Sequence, residues 1–160
     1  MKRFLIVLMT LVLVGTALFA QGAQEPVKTD VNKFHVGIVT GTVSQSEDDL
    51  RGAEKMIEMY GAVADGGMIQ HLTYPDNFMD EAETTISVIA GLADDPLMKA
   101  IVVNQSVPGT TEAFRRVKEK RPDIICLAGE AHEDPGVIQS AADLAVNNDF
   151  VARGHLIIKT

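Results

Sequence analysis

Apolar positions fall along this chain in two alternating rhythms. Short, nearly unbroken apolar runs at residues 34–39, 68–72, 99–103, 124–128 and 144–146 read as strands buried on both faces, the pattern of a parallel sheet. Between them, apolar residues recur at three and four. Leu50, Ala53, Ile57 and Tyr60 form one stripe of a helix over 46–60, with Arg51, Glu54, Lys55 and Glu58 opposite. Ser46 with Asp49 is a capping pair for its start, and Gly61 a stop. Asn77 is expected to cap a second helix over 78–93, with Asp80 and Glu81 at its positive end and Ala82, Ile86, Ile89 and Ala93 inward. Asp94-Asp95-Pro96 ends it, because the residue before proline resists helical geometry. Thr110 or Thr111 opens a third helix, with Ala113, Phe114 and Val117 inward. Arg115, Arg116, Lys118, Lys120 and Arg121 match its negative pole. A short turn over 137–141 and a last helix over 150–159 complete the series. Strands and helices in strict alternation imply right-handed crossovers and a doubly wound, five-stranded parallel α/β sheet, a Rossmann-like lobe.

Ahead of this alternation stands a different pattern. Lys2 and Arg3 precede a run of about 16 apolar residues that ends near Ala20. A basic start, a short apolar core and a small-residue exit make residues 1–20 a secretory signal peptide, shorter than the roughly 20 apolar residues a membrane span requires. Residues 21–32 are polar and aperiodic, and read as a disordered leader. The folded domain is therefore expected over 33–160, exported, periplasmic where the cell has two membranes, and without membrane insertion once the signal is removed.

Charge narrows the partners. The whole chain carries 14 bases and 22 acids, and the first twenty residues hold two of those bases and no acid, so the processed chain is more acidic still. That balance disfavours nucleic acid and anionic lipid, and no basic cluster with interleaved aromatics offsets it. Cys126 is the single cysteine; with no disulfide available the fold rests on its core, and the neighbours Ile124, Ile125 and Leu127 make Cys126 a buried, inert thiol. Met56, Met59, Met68 and Met79 are expected to fill gaps in that core.

Open α/β sheets bind ligands outside the carboxyl ends of their strands, where strand order reverses. The strand exits here, residues 41–45, 74–76, 104–106, 129–133 and 147–149, are rich in hydroxyls, amides and a few carboxylates, groups suited to a neutral polyhydroxylated or amide-bearing molecule. Many of these residues also serve as helix caps. The chain has no G-x-S-x-G elbow and no phosphate-binding G-x-x-x-x-G-K loop. His132 lies near Glu130 and Glu133, but His35, His71 and His155 stand at no metal-ligand spacing. A phosphoacceptor receiver domain fails too, since the third strand ends in Asn104. The residues therefore point to a binder with no catalytic residues, no cofactor and no metal.

The order of elements, the first strand 35–40 leading to a hydroxyl-rich loop, and the segment Asp143-Leu144-Ala145-Val146-Asn147-Asn148-Asp149 running into a helix with Gly154 resemble the N-terminal lobe of the type I periplasmic binding proteins, the ribose- and galactose-binding group. Residues 33–160 are also similar to an uncharacterised family of exported bacterial proteins. The resemblance implies a receptor for a small polar ligand, serving an ABC-type permease or a membrane sensor. By position it implies Ser44, Gln45, Asn104, Gln105, Glu130 and His132 as ligand-binding residues. Aromatic platforms for sugars are thin, with no Trp and only Tyr74 at a strand exit. Because the resemblance reaches one lobe of two, the chain is expected to be a fragment of a longer receptor or a truncated product. The alternatives are a protein-interaction or sensory module and, more remotely, an exported enzyme dependent on His132 or Glu130.

Overall fold

The computed structural model describes residues 34–147. The signal peptide, the leader and the helix expected over 150–159 lie outside the described residues.

Five strands, β1 (His35–Thr40), β2 (Ile69–Thr73), β3 (Met98–Val103), β4 (Ile125–Gly129) and β5 (Leu144–Val146), form one sheet in the order β2-β1-β3-β4-β5. Every neighbouring pair is parallel. The doubly wound α/β fold is thus the one the alternation predicts. Strand order reverses between β1 and β3: the chain leaves β1 for β2 on one side, then crosses back to build outward through β3, β4 and β5.

The two faces are covered unequally. Val39, Ile101, Val103, Cys126 and Ala128 point to the face packed by α2 (Ala82–Gly91), α3 (Thr110–Lys120) and the short α4 (Pro135–Gln139). Ile86, Ile89, Leu92, Phe114, Val117 and Ile138 complete that larger core. The alternate residues Val36 and Ile38 meet α1 (Val43–Tyr60) through Ala53 and Ile57, with Ile69 closing a smaller core. This is the period-two alternation of a strand serving two layers. On the α1 side of β4 and β5, Ile125, Leu144 and Val146 each remain about half exposed.

Local chemistry explains most boundaries. Thr42 Oγ1 accepts the N–H of Ser44 and caps α1. Ser46 inside α1 is extended (φ −157°, ψ 90°), and its hydroxyl donates to Asp49 Oδ2 at 2.7 Å. Ser46 and Asp49 do bond, but side chain to side chain at a kink inside a helix that starts at Val43, and Thr42 rather than Ser46 caps that start. Gly61 ends α1, its N–H donating to the Ile57 carbonyl at 2.7 Å. Cys126 is buried, and burial pushes its thiol up to about 11.

Three expectations are corrected. Asn77 does not cap α2: its carbonyl accepts the N–H groups of Asp80 and Glu81 in a separate turn, and α2 starts at Ala82. The ring of Phe78 is recruited to the core, packing edge-on to Tyr74 at 5.6 Å, and this holds the turn apart from the helix. Met79 is exposed in the turn before α2, and Met68 is half-buried against the smaller core as expected. Met56 and Met59 lie at the surface rather than in the core, because the residues on α1 that reach the sheet are Ala53 and Ile57. Tyr60, expected on the inner stripe, is exposed for the same reason.

Candidate functional site

The crevice at the switch point is built from the loops after β1, β3 and β4. At its centre the Asn104 side-chain amide, one residue past β3, donates to Asp49 Oδ1 on α1 at 2.5 Å. Asn104 is in turn fixed by its backbone, whose N–H donates to the Val39 carbonyl at 3.0 Å. The Ser46 kink brings the Asp49 carboxylate to face the sheet, one oxygen held by Ser46 and the other by Asn104. The pair stands between two cavities of about 300 Å³ each. One runs over Val102, Leu127 and Val146 towards Gly129 and Glu130; the other runs under α1 over Val36 and Ile38. Each has an apolar floor and a polar rim, at the small end of the range for ligand sites.

The loops after β3 and β4 are drawn together so closely that a side chain will not fit at Gly129. A Cβ there would lie 2.3 Å from the Asn104 carbonyl oxygen. Ser106 N–H and Oγ both donate to the Gly129 carbonyl at 2.9 Å, and His132 N–H donates to the Ser106 carbonyl at 3.0 Å. Glu130, next in line, has φ 31°, the one non-glycine residue with positive φ among those described. Strain of that kind persists where surrounding contacts impose it. Here its N–H donates to Val146 on β5 at 2.9 Å, which aims the turn.

The expected site residues divide. Asn104 and Glu130 line the same cavity. Gln105 is at the crevice but turned to structure, its Oε1 accepting the Tyr74 hydroxyl at 2.9 Å. Ser44 and Gln45 are exposed in the first turn of α1: Ser44 Oγ bonds Thr42 Oγ1 at 2.8 Å, and Gln45 Nε2 donates to the Asp76 carbonyl at 2.9 Å. His132 is exposed, its ring edge-on to Phe78 at 6.4 Å. Tyr74 is fully buried and offers no platform to a sugar. Burial, with the Asp49 charge second, pushes its hydroxyl up to about 12, so it remains a donor to Gln105.

Sequence reasoning missed Asp49 as part of the site, and it missed the tie from Glu133, which lines neither cavity, to the start of α3. Glu133 Oε1 accepts the Gly109 N–H at 2.8 Å, and Oε2 accepts the Thr111 N–H at 3.1 Å and the Thr111 hydroxyl. Their partners lie 55 and 22–24 residues away, so only the fold reveals them. Asp76 accepts from the Thr42 hydroxyl, and the Thr42 and Ser44 bonds hold its carboxyl below the usual range. Among the described residues no three His, Cys, Asp or Glu side chains gather as a metal site, and no helix is long and apolar enough to cross a membrane.

Residues 34–160 match the model of DUF3798, described as "Protein of unknown function". The chain belongs to the DUF3798 family. Two Treponema pallidum (strain Nichols) relatives, both called "Uncharacterized protein", share 42% identity over 142 residues and 44% over 66. Those matches cover 85% and 41% of this chain, and 64% and 31% of the relatives. Among solved structures, this DUF3798 chain is similar to a Clostridium difficile 630 protein called a "putative transcriptional regulator", with a TM-score of 0.68 and 28% identity. That match takes in 81% of this chain and 38% of the other. The DUF3798 chain thus spans less than two thirds of the length of each of these proteins.

Proposed function

We propose that this DUF3798 domain is one ligand-binding lobe of an exported solute receptor. It takes a small polar molecule in the switch-point crevice and presents it to an ABC-type permease or a membrane sensor. The observation that carries this reading is the Asp49–Asn104 pair standing between two cavities with apolar floors and polar rims. Asp49 and Asn104 orient polar groups of the ligand, and Val102 and Leu127 take its apolar face. The signal-like start of the sequence supports export, and the resemblance to the N-terminal lobe of type I periplasmic binding proteins supports the class. In such receptors a second lobe closes over the ligand; the described residues supply one wall.

The test is a thermal-shift and NMR screen of the processed chain against sugars, amides, nucleosides and amines. We expect one solute class to bind with shifts centred on residues 102–105 and 127–130, and Asp49→Ala and Asn104→Ala each to weaken it at least tenfold, about 1.4 kcal/mol. A hit unaffected by both substitutions, or no hit in any class, overturns the reading.

A second reading draws on the similarity to the Clostridium difficile protein called a "putative transcriptional regulator". In it, the same crevice senses a solute without delivering it for uptake. Both readings require the crevice to bind; they part when uptake of the identified solute is measured in cells lacking the gene.

A further inference from the structure

Among the described residues, the polar side chains that line the two cavities beside the Asp49–Asn104 pair are Thr40, Asp48, Asp49, Asn104 and Glu130. Asp48, Asp49 and Glu130 are carboxylates, which accept hydrogen bonds and do not donate them. The Thr40 hydroxyl gives its one hydrogen to the Gly41 carbonyl at 2.8 Å. The Asn104 amide is the remaining group, and an amide can turn either its oxygen or its nitrogen to a ligand. Asp49 decides which.

Asn104 Nδ2 donates to Asp49 Oδ1 at 2.5 Å, and Asp49 Oδ2 takes the Ser46 hydroxyl at 2.7 Å. With the amide turned over, two oxygens would face each other and neither could donate. The backbone is fixed as well, since Asn104 N–H is bonded to the Val39 carbonyl at 3.0 Å. Asn104 therefore keeps its nitrogen towards α1, and its carbonyl and at most one N–H are left over. Among the described residues no donor meets Asn104 Oδ1. No buried side-chain oxygen or nitrogen among them lacks a partner, so Oδ1 is accessible from the cavities that Asn104 borders. A solute hydroxyl brings two lone pairs with its one hydrogen, whereas an amide or ammonium nitrogen brings hydrogens alone. A lining made of acceptors suits the nitrogen.

We propose that Asp49 is a positioning residue that turns the Asn104 carbonyl to the solute, so that the crevice selects a solute for the N–H it brings. The ligand class is an unsubstituted carboxamide or amine, not the fully N-alkylated counterpart that has no hydrogen to give. This rests on the solute-binding reading of the crevice and names the ligand class for it. Asp49 sets the preference through Asn104, while the floor of Val102 and Leu127 receives the solute's apolar part whatever its donors.

The probes are acetamide with N,N-dimethylacetamide, and methylammonium with tetramethylammonium. Each is titrated into the processed chain at matched ionic strength and followed by NMR at residues 102–105 and 127–130. In wild type we expect the N–H-bearing member of at least one pair to bind about fivefold more tightly, or better, than its methylated partner. Asp49→Asn keeps the shape and removes the charge, so the Asn104 amide is free to turn over and the preference should fall to about twofold or less. A purely structural role for Asp49 would weaken both members alike and leave their ratio unchanged. One Asn104 side-chain amide proton should also stand downfield of the other in wild type and move upfield in Asp49→Asn, which reads the orientation with no solute present. The proposal is overturned by methylated probes that bind wild type as tightly, by no binding of any probe, or by a preference that survives Asp49→Asn. The solute screen separates this result from the broader reading. A solute without N–H that binds wild type and depends on Asp49 and Asn104 overturns the donor preference and upholds the receptor. A screen with no hit overturns both, and leaves only the orientation of the Asn104 amide standing.

Discussion

Gly129 is the residue at which the crevice is most sensitive to one added atom. The obstacle to a Cβ there is a backbone oxygen, that of Asn104, at 2.3 Å. A flexible side chain could swing away, but this carbonyl follows directly on β3 and moves only if the loop moves. Gly129→Ala must therefore push the β3 and β4 exits apart, stretching the Ser106–Gly129 bonds. Overpacking of this kind costs about 1–3 kcal/mol. We expect a lower urea midpoint with an unchanged m-value, together with NMR shifts at residues 104–106 and 129–132. An alanine variant as stable as wild type would mean the loops are not held as closely as described. Glu130 follows Gly129 with its positive φ, so the same substitution should also disturb the turn that presents Glu130 to the cavity.

At the scale of elements, α1 is capped at its entrance by Thr42 and kinked at Ser46, whose hydroxyl holds Asp49. Thr42→Ala should cost about 1 kcal/mol, the usual worth of such a cap, measured by chemical denaturation. It also frees Asp76, whose carboxyl should return towards its ordinary value once the Thr42 bond, its largest cause of depression, is gone; side-chain NMR titration reads this directly. The strands were legible in the sequence as short apolar runs, such as 124–128, but burial on both faces was not, since Ile125 on β4 stays about half exposed. The α3 stripe was legible because Ala113, Phe114 and Val117 repeat at helical spacing. The start of α2 was not legible: Asn77 followed by Asp80 and Glu81 is the chemistry of a helix cap and equally that of a turn. What decides between them is Phe78 packing against Tyr74, a contact local spacing cannot register. The site was half legible for the same reason. Asn104 and Glu130 could be placed by counting from strand ends, whereas Asp49 acts through a partner distant in sequence, Asn104.

Across the whole molecule the two edges of the sheet are electrostatically unlike. Among the described residues, the strand-exit loops 41–46, 74–81, 104–109 and 129–134 at the carboxyl edge contain acids and no lysine or arginine, while the amino edge is stitched by ion pairs and a histidine–aspartate bond. His35 bonds Asp95 at 2.5 Å, Lys99 meets Asp123 at 2.7 Å, and Lys118 meets Asp143 at 2.6 Å. Arg121 reaches Asp123 and the carbonyls of Asp95 and Met98. The Asp143 carboxyl is held below its usual range by the Cys126 N–H and then by Lys118. Burial works to raise Asp95, but the bonds from His35 and the Leu97 N–H outweigh it and the net direction is down. Asp123 is lowered by Arg121 and Lys99. A carboxylate depressed in the folded state contributes stability above its unfolded value, near 3.9 for Asp, and loses it as pH falls through the folded value. Acid should thus weaken the fold from about pH 4 downward. One effect opposes this: protonating carboxylates relieves the repulsion of an acidic chain. That repulsion is spread over many charges and screened beyond about 10 Å in 0.1 M salt, whereas the amino-edge pairs are in contact, so the local effect wins. We expect the melting temperature in 0.1 M salt to be lower at pH 3 than at pH 6, and Asp143→Asn to narrow that gap by lowering the pH 6 value more than the pH 3 value. A melting temperature that holds or rises on going to pH 3 would mean that repulsion governs, and that the contacts along the amino edge add nothing to folding.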